Sequence, residues 1–182
     1  RVFFRSEYVF EGQFVGGDTV QLVDVEGLTY DAEGKNETAT VSGAGRFVHT
    51  PAGVNSGMLQ LGTQLGLRYE HVGANAVIQA TGTGLADSLV ILGTDGEDVF
   101  AIAFPAGDAV QANLTSPLGG HTVLTSVGVE SYEVRTGNGL DAINVQGPVQ
   151  ASGTFAIQAG GQAGDVVNLT GAAATGENVT IA

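Results

Sequence analysis

Apolar residues in this chain come in short runs rich in Val, Ile, Thr and Phe, each closed off by Gly, Asn or Asp. The clearest runs are Val20 to Val25, Met58 to Leu61, Ala76 to Ala80, Leu89 to Leu92 and Val99 to Phe104. Thr122 to Thr125, Ala142 to Val145, Val166 to Leu169 and Val179 to Ile181 follow. Each is about one short strand long, and the 3.6-residue apolar period of a helix is almost absent. The pattern predicts an all-β chain.

One turn recurs before these runs. Gly93-Thr94-Asp95-Gly96-Glu97-Asp98-Val99-Phe100 aligns with Thr136-Gly137-Asn138-Gly139-Leu140-Asp141-Ala142-Ile143. Gly160-Gly161-Gln162-Ala163-Gly164-Asp165-Val166-Val167 is a third copy. Gly119-Gly120-His121-Thr122 and Gly84-Leu85-Ala86-Asp87 are weaker ones. Asp98 to His121 spans 23 residues, His121 to Asp141 spans 20, and Asp141 to Asp165 spans 24. A step of this size is what one coil of a parallel β-helix needs. Asp87 and Glu177 sit at half-steps, as if each coil had two faces opened by separate turns. The expected fold is a parallel β-helix or β-solenoid with short strands and Gly/Asp turns. An antiparallel β-sandwich, which also turns every 8–12 residues, is the alternative.

Residues 73–182 carry this repetition. Residues 1–72 are less regular and read as an N-terminal cap or as irregular first coils, the two regions being compatible with one continuous domain. Phe3, Phe4, Phe10 and Phe14 crowd the start, where a solenoid must cover its end. A faint repeat runs through Gly17-Asp18-Thr19-Val20, Asn36-Glu37-Thr38-Ala39 and Ser56-Gly57-Met58-Leu59. The chain opens on Arg1 without a signal-peptide pattern, which suggests a processed product or an excerpt of something longer.

Composition narrows the function. The 182 residues hold 29 Gly but only 4 Pro, so the glycine serves sharp turns rather than a collagen-like repeat. Nineteen acidic residues against six basic ones give a net charge of −13. Such a chain is a poor partner for nucleic acid or an anionic membrane, and no apolar stretch is long enough to span a bilayer. With no Cys there is neither a disulfide nor thiolate chemistry.

The turns Gly137-Asn138-Gly139-Leu140-Asp141 and Gly96-Glu97-Asp98 resemble the calcium-binding nonapeptide of secreted bacterial repeat (RTX) toxins and proteases. Val129-Glu130-Ser131-Tyr132-Glu133-Val134 leading into Gly137 is similar to the longer β-helical repeat of large bacterial surface proteins. The second resemblance implies an extracellular, cell-surface structural or adhesive role, as a segment of a larger protein or a subunit of a self-assembling fibre or layer. The first implies Ca²⁺, with Asp95, Asp98, Asp141 and Asp165 as candidate ligands. Ca²⁺ takes six to eight oxygens, so these acids would have to act together across stacked turns. The competing expectation is that each Asp hydrogen-bonds its own turn.

Parallel β-helices also carry polysaccharide-cleaving enzymes, which need paired acids or a base beside a cation. Asp87 with Asp98 is the available acid pair. Arg1, Arg5, Lys35, Arg46, Arg68 and Arg135 are scattered, and His49, His71 and His121 have no metal-ligand spacing. The chain reads as non-enzymatic, without a firm cofactor. Its expected partners are copies of itself or flanking repeats of a longer chain, with glycans as a further candidate. Asn36, Asn113, Asn168 and Asn178 begin Asn-x-Thr sequons.

Overall fold

A computed structural model describes residues 2–5, 10–12, 27–32, 34, 38–53, 55–63, 66–73, 75–106, 108–115, 121–149, 151–171 and 178–182. These form strands and turns, with no helix among the described residues. In chain order the strands are β1 (Val2–Arg5), β2 (Phe10–Gly12), β3 (Gly27–Asp31), β4 (Thr38–Gly43), β5 (Arg46–Gly53), β6 (Ser56–Leu61), β7 (Leu67–Glu70), β8 (Val77–Gly82) and β9 (Ser88–Leu92). They continue with β10 (Val99–Ala106), β11 (Ala109–Thr115), β12 (His121–Val127), β13 (Ser131–Arg135), β14 (Ala142–Gln146), β15 (Thr154–Gln158), β16 (Val166–Thr170) and β17 (Asn178–Ile181). The predicted strand at Val20 to Val25, the repeat copy at Gly17, and Phe14 lie outside the described residues.

The strands build two mixed sheets. A ten-stranded sheet runs β17-β15-β13-β9-β5-β6-β7-β3-β1-β2, and a seven-stranded sheet runs β16-β14-β10-β11-β12-β8-β4. From β13 onward the chain crosses to the other sheet at every strand, and equivalent strands pair in parallel. Tyr132 lies between Leu89 and Phe155, and Ile143 between Phe100 and Val167. Period-2 alternation explains the faces. In β14, Ile143 and Val145 are buried while Ala142, Asn144 and Gln146 are not.

The buried side chains of both sheets share one core. Phe104 of the smaller sheet meets Tyr132 and Phe155 of the larger one edge-on, each with ring centroids 5.4 Å apart. Burying rings of this size supplies roughly 2–3 kcal/mol each, and the edge-on geometry suits their quadrupoles.

The expected 20-residue spacing through His121 has a different origin. Val99 pairs directly with Ala142, so the step from Asp98 to the next equivalent turn is 43 residues. Between them lie an antiparallel meander, β10-β11-β12, inside the sheet, and then β13 in the larger one. His121 opens its last strand and does not stack between Asp98 and Asp141. A second meander, β5-β6-β7, occupies the larger sheet. The repeat copy at Ser56 begins its middle strand, which runs antiparallel to both neighbours.

Candidate functional site

The turn acids that the sequence singles out stand one above another. The backbone N–H of Asp98 donates to Oδ1 of Asp141 at 2.8 Å, and the N–H of Asp141 donates to Oδ1 of Asp165 at 3.0 Å. In return, the carbonyl of Asp98 accepts the N–H of Ala142 at 2.9 Å, and that of Asp141 accepts the N–H of Val166 at 2.8 Å. Each acid thus caps the strand start of its neighbour just before β10, β14 and β16.

The same pattern is repeated ahead of the larger sheet. Asp87 Oδ1 accepts the N–H of Gly45 at 2.5 Å, and the N–H of Asp87 donates to Glu130 Oε2 at 2.7 Å. The carbonyls of Gly45 and Asp87 accept from Ser88 and Ser131, both at 3.1 Å. Glu130 is a ladder member that the candidate ligand set omits. Its signal is acid-Ser-apolar-x-apolar, shared by Asp87-Ser88-Leu89-Val90-Ile91 and Glu130-Ser131-Tyr132-Glu133-Val134.

Some acids also bind their own turn. Asp87 Oδ2 accepts the N–H of Gly84 at 2.7 Å. Asp98 Oδ2 takes the N–H of Thr94 at 2.6 Å, and the Thr94 hydroxyl approaches both of its oxygens. Burial pushes the Asp98 carboxyl above its ordinary range; the Thr94 hydrogen bonds oppose this, and the charge of Asp141 adds to it. At the next turn Gly137 replaces Thr94 and supplies no hydroxyl. There Asp141 Oδ2 and Thr136 Oγ1 are buried without a protein partner.

Glycine permits this close stacking at two positions in particular. Gly137 has φ +93° and Gly160 φ +66°. A Cβ at Gly137 would strike the carbonyl oxygen of Thr94, and one at Gly160 would strike that of Gly137. The turns therefore lie backbone on backbone.

These acids are not gathered as a calcium centre among the described residues. Asp95 is exposed and accepts from Asn138 Nδ2 at 2.8 Å, while Asp98, Asp141 and Asp165 each receive an N–H donor. Among the described residues no three His, Cys, Asp or Glu side chains gather as a set that could hold a metal ion. An ion seeking six to eight oxygens would find one oxygen each of Asp141 and Asp165 taken by a backbone N–H, and of their oxygens only Asp141 Oδ2 buried without a partner. The suggested acid pair is likewise engaged elsewhere, Asp87 with Gly45 and Gly84, and Asp98 with Thr94. Compared with protein-family models, curated proteins and solved structures, the chain matches none.

The remaining chemistry is sparse. A shallow cleft of about 180 Å³ on the larger sheet is lined by Arg46, Ser88, Ser131, Glu133 and Thr154, among others. Arg46 lies 3.8 Å from Glu133, which also binds Arg135 at 2.8 Å and Gln158 at 2.7 Å. Ser131 Oγ accepts the N–H of Thr154 at 3.2 Å, and no histidine lines the cleft to serve as its base. His49 is fully buried, with Nε2 2.7 Å from Tyr69 Oη and Nδ1 unpartnered. Exposed His71 pairs with Asp31 at 3.2 Å. Of the sequons, Asn113 lies on β11 and Asn168 on β16, the latter donating to Asn144 at 2.8 Å. Asn178 starts β17, and Asn36 lies outside the described residues.

Proposed function

We propose that this chain is a non-enzymatic structural or adhesive segment of an extracellular β-solenoid, built to stack coils rather than to turn over a substrate. The observation that carries this reading is the pair of carboxylate ladders. Asp87, Glu130, Asp141 and Asp165 each accept a backbone N–H from a neighbouring turn. Parallel pairing of β9, β13, β15 and β17, and of β10, β14 and β16, supports successive coils. A net charge of −13 keeps such a rod soluble and away from polyanions. Its partners are copies of itself or flanking repeats, at the cell surface.

The RTX-like, ion-loaded alternative is weaker because one oxygen of each stacked acid already faces an N–H donor and, among the described residues, no three acids gather as a metal-holding set. Melting with and without EGTA separates the two: an unchanged transition favours the structural reading, and a large drop on chelation favours the ion-loaded one. Electron microscopy of the purified chain should show ordered fibres or layers; compact monomers alone would count against that role. New reducing ends or unsaturated products from a glycan panel would replace it with a carbohydrate-cleaving one.

A further inference from the structure

The two sheets divide charge unequally. Among the described residues, every Asp, Glu, Lys or Arg that lies in a strand lies in the ten-stranded sheet. The seven strands of the other sheet, β4, β8, β10, β11, β12, β14 and β16, contain none. In a chain of net charge −13, that leaves a sheet whose strands hold no Asp, Glu, Lys or Arg among the described residues, with His121 at the start of β12 as their titratable residue.

The register shows what this face carries. Gln146, Ala103, Gln111, Thr125, Gln79 and Thr40 form one continuous row across six strands. A parallel row holds Asn168, Asn144, Ala101, Asn113, Val123 and Val77. Their alternate neighbours, including Ile102, Ala112, Leu124 and Ile78, are buried, so these rows are the outer ones. Val99, Val127 and Val166 on the same face are 45–50% exposed.

We propose that the outer face of the seven-stranded sheet is a self-association surface whose occupant is the same face of a second copy. This deepens, and rests on, the structural role proposed above. Charge selects the occupant: two copies repel each other over most of their surface, and least where both present uncharged rows. Hydrogen-bonding chemistry agrees, since amides and hydroxyls are both donors and acceptors. Identical rows related by a two-fold axis can therefore satisfy one another. Seven strands about 4.8 Å apart and five residues long cover roughly 30 Å by 17 Å, so two copies would bury about 1,000 Å² in total, the size of a weak, reversible contact.

Gln111, exposed on the central strand β11, is the test position. Gln111→Glu keeps the side-chain shape while placing one charge opposite its copy. Thr154→Glu adds the same charge to an exposed position on the other sheet. Sedimentation equilibrium of the 182-residue chain should show concentration-dependent association that tightens with added salt, as the remaining like charges are screened. Gln111→Glu should weaken it at least tenfold, and Thr154→Glu by less than threefold, with both variants retaining the parental melting transition. A chain that stays monomeric at several hundred micromolar in half-molar salt overturns the proposal. So does equal sensitivity to the two variants, or binding to an uncharged insoluble polysaccharide without self-association. Fibres that persist in Gln111→Glu would leave the structural role standing and remove only this contact.

Discussion

The backbone N–H of Asp98 donates to the carboxylate of Asp141, 43 residues further along the chain, at 2.8 Å. The Asp141 side chain is therefore the acceptor for the start of the neighbouring strand, β10. Asp141→Ala should strand a buried N–H and cost about 1–3 kcal/mol. Asp141→Asn keeps an amide oxygen for that bond and should cost clearly less. Urea denaturation of the three proteins checks this, and equal losses for the two variants would exclude the capping role.

Stability should depend on pH through His49. Burial lowers its pKa from 6.5 to about 4. Between those values the unfolded chain binds the proton and the folded chain does not, so stability falls as pH drops below 6.5 and levels off near 4. The loss should amount to about 3 kcal/mol. Asp98, whose carboxyl is raised by burial, acts in the opposite sense, losing stability as pH rises through its own titration. His49→Gln should flatten the slope between pH 6.5 and 4 in denaturant titrations; an unchanged slope would assign it elsewhere.

Two adjacent glycines provide an internal control. Gly160 and Gly161 both have positive φ, +66° and +82°. A Cβ at Gly161 meets nothing within 4 Å, whereas one at Gly160 strikes the Gly137 carbonyl. Gly161→Ala should cost about 1 kcal/mol of backbone strain. Gly160→Ala should cost several-fold more, because the stacked turns must separate. Thermal melts of the two variants compare them directly.

Ser126 holds together a small buried network. Its Oγ accepts the N–H of Val110 at 3.1 Å and lies 3.0 Å from Tyr132 Oη. Ser126→Ala strands both groups, at roughly 1–3 kcal/mol each. Tyr132→Phe leaves the Val110 bond in place and should cost only about 1 kcal/mol. Additive losses in the double variant would show that the hydroxyls do not interact.

The strands were largely legible because β-branched and aromatic runs between Gly and Asp need little context: Leu89 to Leu92 and Ala142 to Val145 lie within β9 and β14. Strands β4 and β11 were harder, since Thr-Ala-Thr-Val-Ser-Gly and Ala-Val-Gln-Ala-Asn-Leu-Thr carry few large apolar side chains. Spacing misled at His121, because an inserted meander lengthens the step from Asp98 to Asp141 without changing the turn that follows. The stacking of Asp98, Asp141 and Asp165 was readable from equivalent positions. What satisfies them was not, as backbone N–H groups leave no mark in a sequence. Nor was the sheet whose strands hold no Asp, Glu, Lys or Arg: its seven strands are scattered from Thr38 to Thr170 and unite only through pairing.

The meander β10-β11-β12 carries a consequence for how the chain folds. Its antiparallel contacts begin between Ala106 and Ala109, whereas the parallel contacts flanking it join Val99 to Ala142 and Val77 to Val123. Closing the short loop costs far less entropy than closing the long ones. Loop-closure entropy therefore predicts that the meander orders first and offers two edges, one for β14 and one for β8, from which pairing spreads outward in both directions.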